Sequence, residues 1–140
     1  MASTIQVDIV SAEKEIFSGD VTMVFAPASE GEVGIAPGHA SLVTTLGPGE
    51  LRIEHEDGSQ QGFYVSGGIL EVQPKLVTVL SDSADRSEDL DEALVTKAKE
   101  EAEKAVAEWD GQVDYSHLQQ QLIEASARYQ AVQRLKGRGR

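Results

Sequence analysis

The chain has 140 residues, which suits one domain, or a domain with a small appendage. Its 24 acidic and 12 basic residues give a formal net charge of −12, which repels nucleic acids and anionic lipid surfaces. The absence of cysteine excludes disulfides, thiolate metal sites and a cysteine nucleophile. No apolar run approaches the roughly 20 residues that span a bilayer, and residues 1–8 do not resemble a signal peptide. We expect an acidic, soluble, intracellular protein without a transmembrane segment.

The residue balance changes near Arg86, and this change divides the chain. Residues 1–86 hold 13 acids, four bases, all four prolines and ten of the 13 glycines. Residues 87–140 hold 11 acids, eight bases and no proline. Glycine and proline punctuate short strands and turns, whereas their absence permits long helices. The sequence therefore predicts a strand-rich domain over 1–86 and a helical domain over 87–140.

Residues 1–86 show the period-two alternation of half-buried strands. The side chains expected on the core side are Ile5, Val7, Ile9, Val21, Met23, Phe25, Leu51 and Ile53. Asp57-Gly58 predicts a two-residue hairpin turn, and Pro74-Lys75 predicts another tight turn. Nine or ten short strands in so short a segment cannot form one flat sheet with a buried face. They are predicted to pack as a sandwich or flattened barrel.

Residues 87–140 are predicted to form two helices. Asp89 is the expected N-cap of the first, with Glu92 as its capping partner and Gly111 beyond its end. Its apolar face is expected to hold Leu94, Ala98, Ala102, Ala105 and Trp109. The second helix is expected to begin at Ser116, with an apolar face of Leu118, Leu122, Ala125, Tyr129 and Val132. The short link predicts an antiparallel hairpin, whose alanine-rich seam buries little area.

No catalytic, metal or cofactor site emerges from the motifs. His39, His55 and His117 lack ligand spacing, so each is interpreted as an ordinary polar residue. The glycine-rich segments are not followed by the Gly-Lys-Ser/Thr of a phosphate loop. Residues 66–68, Ser-Gly-Gly, lack the pattern of a nucleophile elbow. The sequence therefore predicts a protein that is not an enzyme.

Two segments remain as candidate binding surfaces. Residues 29–40 contain two acids, a histidine and many turn-forming residues, and are either a connecting loop or a presented contact surface. The last 13 residues contain five cations and no acid: Arg128, Arg134, Lys136, Arg138 and Arg140. These cations either complement the dipole at a helix end or seek an acidic protein surface.

Several segments, in chain order, resemble the ε-subunit family of bacterial F-type ATP synthases. They are Asp8–Glu13, Phe17–Gly19, Glu30–Ala40, Ser66–Pro74, Val77–Asp82, Asp89–Ala93 and Val113–Tyr115. The resemblance implies a mainly β fold with added α structure. It consists of an N-terminal ten-stranded β-sandwich, or flattened barrel, followed by a C-terminal antiparallel two-helix hairpin.

The resemblance also implies a non-catalytic subunit of the central rotor stalk. Its sandwich would bind the γ subunit and the c-ring, and its helices would extend to the α/β catalytic subunits and inhibit ATP hydrolysis. It would lie peripherally on the cytoplasmic face of the bacterial inner membrane. The expected c-ring contacts are Glu30, Gly31, Glu32 and His39, and the expected contacts to the catalytic head are Arg128, Arg134 and Lys136.

One departure from the family pattern concerns nucleotide binding. Many members carry Leu/Ile-Asp-x-x-Arg-Ala at the first helix, where this chain has Leu94 and Val95 in the last two places. Without the arginine a phosphate loses its cation, so no nucleotide or other cofactor is expected. The alternative function is a free-standing sandwich that binds, for example, carbohydrate. Aromatic residues are only 5% of the chain, which disfavours that alternative.

Overall fold

The computed structural model describes residues 3–137 and contains ten strands followed by two helices. The strands are β1 (Ile5–Ser11), β2 (Glu15–Val21), β3 (Met23–Ala28), β4 (Gly31–Ile35), β5 (Leu42–Leu46), β6 (Gly49–Glu54), β7 (Gln60–Val65), β8 (Gly68–Val72), β9 (Leu76–Ser81) and β10 (Ala84–Arg86). A 3-10 turn, Ser87–Asp89, leads into α1 (Glu92–Ala107) and α2 (Tyr115–Gly137). The predicted fold class is confirmed.

The ten strands form one strongly curled sheet. Their order is β10-β7-β6-β3-β5-β8-β9-β1-β2, and β4 pairs with β3 beside this path. The two end strands meet, because Arg86 of β10 donates a hydrogen bond of 2.8 Å to the carbonyl oxygen of Ile16 in β2. The sheet is therefore a nearly closed, flattened barrel, which hides most of the edges that an open sheet would expose.

The barrel interior is filled by aliphatic side chains from almost every strand. Most of the predicted core residues are confirmed, since Ile5, Val7, Ile9, Val21, Leu51 and Ile53 are all buried. The prediction for Met23 and Phe25 is wrong, because Val24 and Ala26 take the buried positions. The chain leaves β2 after Val21 and re-enters the sheet at Met23, and this break reverses which residues face inward.

Of the two predicted tight turns, one is confirmed and the other is longer than predicted. Pro74 and Lys75 form a tight turn closed by a 2.8 Å bond from the Gln73 amide to the Leu76 carbonyl, as predicted. The link between β6 and β7 is not a two-residue turn, because it covers residues 55–59. Gly58 there has a φ of +85°, which explains the glycine.

Both helices begin at other residues than predicted. Asp89 lies in the 3-10 turn, and Asp91 is the N-cap of α1, accepting bonds from the amides of Ala93 and Leu94. The extended backbone of Leu90 separates the turn from the helix. α2 starts at Tyr115, one residue early, where the Asp114 carboxylate accepts from the Ser116 amide at 2.9 Å.

The buried face of α1 is rotated from the predicted one. Leu94 is 66% exposed, whereas Val95 is buried. Trp109, predicted to lie on the same face, is beyond the end of α1 and is 45% exposed. One turn after Val95, the ammonium of Lys99 lies 4.2 Å from the centre of the Tyr129 ring on α2. The aliphatic part of a lysine can pack while its ammonium contacts an aromatic ring. Because lysine counts as a polar residue, the hydrophobic pattern of the sequence does not predict such a contact.

The hairpin is folded against the barrel, with α2 on the outer side of β6 and β7 and on the 3-10 turn. The predicted apolar face of α2 is confirmed, because Ala125 and Val132 are buried and Leu118, Leu122 and Tyr129 are half-buried. Ala131 is also fully buried. Within residues 3–137, neither helix has the length and apolar character needed to cross a membrane.

Candidate partner-binding surfaces

The acidic segment at residues 30–32 lies on a β-hairpin. The structure corrects the expectation of a loop, because β3 and β4 pair from Val24 with Ile35 to Ala28 with Gly31. Glu30, Gly31 and Glu32 are exposed at the tip of this hairpin. The positive φ of Gly31 completes the turn. The two carboxylates are therefore displayed on a hydrogen-bonded support.

Glu32 is held by an arginine two strands away, across β3. The Nη2 of Arg52 on β6 lies 3.0 Å from its Oε1, and the same guanidinium lies 4.8 Å from the centre of the Phe25 ring on β3. Phe25 pairs with Gly34 on its other side, where an added Cβ would lie 3.6 Å from the ring. That distance is an ordinary van der Waals contact, so an alanine would also fit beside the ring. The Phe25 ring supports the arginine that orients Glu32.

His39 is not part of the same group. It lies between β4 and β5, where its Nδ1 is 2.7 Å from the Ala40 carbonyl oxygen. The neighbouring Gly38 amide donates to the Pro74 carbonyl at 2.9 Å, which ties this loop to the β8–β9 turn. Among the described residues, no hydrogen bond or ion pair joins His39 to Glu30 or Glu32. The structure therefore separates the four predicted contact residues into a hairpin and a loop.

A second exposed surface is apolar and lies on β5, β8, β9 and β1. Val43 is 69% exposed, Ile69 is 48% exposed and Leu80 is 52% exposed. Ile69 and Leu80 are cross-strand partners, and Val10 of β1 pairs with Leu80, so three apolar side chains form one row. Val10, Ile69 and Leu80 line a shallow groove. We call Val10, Val43, Ile69 and Leu80 the apolar face.

The basic residues of α2 point toward the barrel and toward α1. The guanidinium of Arg128 lies 4.5 Å from the centre of the Tyr64 ring on β7. Arg134 is 3.6 Å from the carboxylate of Glu50 on β6, and Lys136 is 2.8 Å from Glu92 of α1. Arg138 and Arg140 lie outside the described residues. In this conformation, two of these three cations contact the barrel and the third contacts α1.

His39 and His55 lie in separate links of the chain, between β4 and β5 and between β6 and β7. Across residues 3–137, no cluster of three or more metal-ligating side chains is present. His55 is 3.4 Å from the Gln61 amide oxygen, far from His39 in the chain. Hydrogen bonds from Ser59 lower the pKa of Asp57, and this exposed carboxylate belongs to the β6–β7 turn. The contacts of His55 and Asp57 are therefore local to the β6–β7 link.

Comparison with known families accounts for nearly the whole chain. Residues 4–87 match the ATP synthase, Delta/Epsilon chain, beta-sandwich domain. Residues 88–133 match the ATP synthase, Delta/Epsilon chain, long alpha-helix domain. The chain belongs to the delta/epsilon family of ATP synthase chains. The resemblance seen in the sequence motifs is thereby confirmed.

Similar members of the family are bacterial proteins named ATP synthase epsilon chain. The one from Nitrosococcus oceani is 54% identical over 136 residues, covering 97% of both chains. The one from Alkalilimnicola ehrlichii is 54% identical over 138 residues, and the one from Halorhodospira halophila is 52% identical over 139 residues. Both alignments cover 99% of each chain. The alignments thus run through both the strand-rich part and the helices.

Two solved assemblies contain chains of the same fold. A chain of the Euglena gracilis mitochondrial ATP synthase, OSCP/F1/c-ring, matches with a TM-score of 0.74 and 24% identity, covering 98% of this chain and 82% of that one. A chain of the Tetrahymena thermophila mitochondrial ATP synthase central stalk/c-ring matches with a TM-score of 0.64 and 16% identity, covering 93% and 97%. At these identities the likeness shows the fold alone.

Sequence reasoning missed the residues of the barrel that receive the hairpin. Glu50 and Tyr64 lie at outward-facing strand positions, yet both are buried because α2 covers them. The run Phe63-Tyr64-Val65 carried a usable indication, since three consecutive apolar residues are typical of a strand covered on both faces. Glu50 carried no comparable indication in the sequence. Neither did Arg52, whose contact with Glu32 depends on strand pairing.

Proposed function

We propose that this chain is the non-catalytic ε-type subunit of the central rotor stalk in a bacterial F-type ATP synthase. The observation that carries this proposal is identity of 52–54% to chains named ATP synthase epsilon chain over 97–99% of their length. The subunit would couple c-ring rotation to ATP synthesis by the α/β subunits. It would lie peripherally at the cytoplasmic face of the inner membrane.

The proposed contact with the c-ring is the β3–β4 hairpin together with the His39 loop. Transmission of torque requires contacts that resist sideways displacement. A carboxylate meeting cationic or amide groups supplies such directional bonds. Glu32 suits this role because Arg52 fixes its position while its side chain stays 47% exposed. Glu30 and Gly31 would complete the contact at the exposed tip.

The c-ring contact is tested by reversing one charge. Glu32→Lys places a second cation beside Arg52 and removes the presented carboxylate, so we expect weaker assembly or proton flow uncoupled from ATP synthesis. Membrane vesicles from cells carrying the variant report both quantities. Glu13→Lys, an exposed acid before β2, makes the same charge change elsewhere and should leave coupling intact. Full coupling in the Glu32→Lys vesicles would refute the assignment.

The proposed site for the γ subunit is the apolar face. Exposed apolar rows of this kind mark protein interfaces, because leaving them in water costs about 25 cal/mol per Å². The face lies on β5, β8, β9 and β1, whereas α2 covers β6 and β7. A partner bound there would leave the hairpin free to move. This separation suits a subunit whose anchoring and regulatory parts act independently.

The proposed regulatory role is inhibition of ATP hydrolysis by the C-terminal helices. Extension of the hairpin would carry Arg128, Arg134 and Lys136 to an acidic surface of the catalytic head. Exposed ion pairs are worth at most about 1 kcal/mol each, so several must act together. The folded and extended states must also differ by only a few kcal/mol, or no signal would shift them.

Deletion of residues 116–140 tests the inhibition directly. Without α2 the assembled enzyme lacks the proposed inhibitory helix, so we expect faster ATP hydrolysis with ATP synthesis nearly unchanged. Hydrolysis by membranes at low and high salt provides the measurement, and added salt should mimic the deletion by screening the contacts. Hydrolysis that is unaltered by the deletion would show that the helices do not inhibit.

A further inference from the structure

Glu50 is a buried carboxylate on the outer side of the barrel. Its position on β6 faces away from the core, yet its side chain is only 1% exposed because α2 lies over it. Ser87 of the 3-10 turn donates a hydrogen bond of 3.0 Å to Oε2, and the Nη1 of Arg134 lies 3.6 Å from Oε1. A carboxylate is costly to bury unless such partners compensate for the lost water.

Glu50 has a neighbour that α2 contacts in parallel. Tyr64 is its direct cross-strand partner on β7, and Arg128 stacks on the Tyr64 ring. Between these two arginines of α2, Ala131 and Val132 are buried, and Ala131, three residues from each arginine, shares their side of the helix. One turn of small apolar residues is thus flanked by two cations that engage adjacent residues of the sheet. This pattern defines one docking position for α2.

We propose that the Glu50–Arg134 pair, supported by Ser87, is a lock that holds the hairpin on the barrel. Arg134 cannot contact Glu50 and a partner's acidic surface at the same time. Extension of the hairpin must therefore break the lock before a new pair forms. The lock is a property of the isolated chain, and only its effect on ATP hydrolysis rests on the proposed function.

The lock is measured through the opening of the α2–barrel interface. The chain has no cysteine, so Ala131→Cys provides a single thiol at a fully buried position. When the hairpin opens and closes faster than the thiol reacts, the labelling rate is proportional to the open fraction. In this background Glu50→Gln should raise the rate at least about fivefold, because the amide keeps the shape but loses the charge-assisted contact.

Two comparisons make the result decisive. Glu56→Gln removes an exposed carboxylate of the β6–β7 turn and should leave the rate unchanged. Arg134→Gln, at a half-exposed position, should raise the labelling rate as Glu50→Gln does. The double variant should label little faster than either single variant, because both changes remove the same contact. Circular dichroism checks that the barrel is intact. Strictly multiplicative effects, or no effect of either change, would overturn the lock.

The rate of ATP hydrolysis by the assembled enzyme distinguishes the lock from the proposed inhibition by the released hairpin. If the released hairpin inhibits, Glu50→Gln should lower ATP hydrolysis, and deletion of residues 116–140 should abolish that difference. Faster thiol labelling without lower hydrolysis would retain the lock and overturn its regulatory effect. Unchanged labelling would overturn the lock even if deletion of the helix released hydrolysis.

Discussion

Gly68 is the residue whose identity the backbone restricts most. It begins β8 with a φ of +136°, and an added Cβ would overlap the carbonyl oxygen of Leu80 on the paired strand. The Leu80 oxygen belongs to the backbone and not to a flexible side chain. The paired strands would therefore have to move apart to accept the added Cβ. We expect Gly68→Ala to lower the free energy of unfolding by about 2–4 kcal/mol, measured by urea denaturation.

Gly58 provides the matched control for that substitution. Its φ is also positive, at +85°, but no atom lies within 4 Å of an added Cβ. Gly58→Ala should therefore show only the backbone strain, about 1 kcal/mol. Equal losses for the two variants would mean that the approach to Leu80 does not restrict Gly68.

At the scale of elements, α2 determines the environment of Tyr64. Burial raises the pKa of the Tyr64 phenol, and the nearby Arg128 opposes part of that rise. In a protein of residues 1–86 the helix is absent and Tyr64 is the only tyrosine. We expect its pKa to fall toward the ordinary tyrosine value, as measured from phenolate absorbance. A phenol that titrates equally late without α2 would contradict the burial effect.

The same shift makes hairpin docking sensitive to alkaline pH. The pKa of Tyr64 is higher with α2 docked than with α2 detached, so docking favours the protonated phenol. This contribution is fully present below the pKa of the exposed phenol and is lost as the pH rises through the pKa of the buried one. Thiol labelling of Ala131→Cys should therefore accelerate over that alkaline range, and less so with Tyr64→Phe.

At the scale of the whole molecule, we propose that the barrel suffices for assembly. The core lies within residues 1–86, and the apolar face is formed by the barrel alone. Truncation after Arg86 should therefore leave a folded protein that binds γ and supports coupling. Co-purification with γ measures the binding, and β-type circular dichroism confirms the fold. Loss of binding with the fold retained would show that docking requires the helices.

Two variants of the truncated protein locate the γ site. Leu80→Asp places a charge in the middle of the apolar face and should reduce γ binding at least about tenfold. Gln60→Asp adds the same charge at an exposed position of β7, away from that face, and should have little effect. Equal binding by both variants would place γ elsewhere on the barrel.

Local sequence determined the elements of this protein because their causes are local. Alternation at Ile5, Val7 and Ile9, the Pro74-Lys75 turn and the proline-free second half identified strands, a hairpin and helices. The apolar face of α2 was also readable from the spacing of Leu118, Leu122, Ala125, Tyr129 and Val132. Each of these features depends on backbone geometry or on a periodic pattern within a few turns.

Tertiary structure alone decided which polar side chains are buried and what they contact. Glu50 and Arg134 are 84 positions apart, and Glu32 is brought to Arg52 by strand pairing through β3. The direction of α2 and the closure of the barrel set these pairs, and neither leaves a periodic mark in the chain. Sequence therefore identified the cations of α2, whereas only the folded structure showed that Arg128 and Arg134 have partners on the barrel and Lys136 has one on α1.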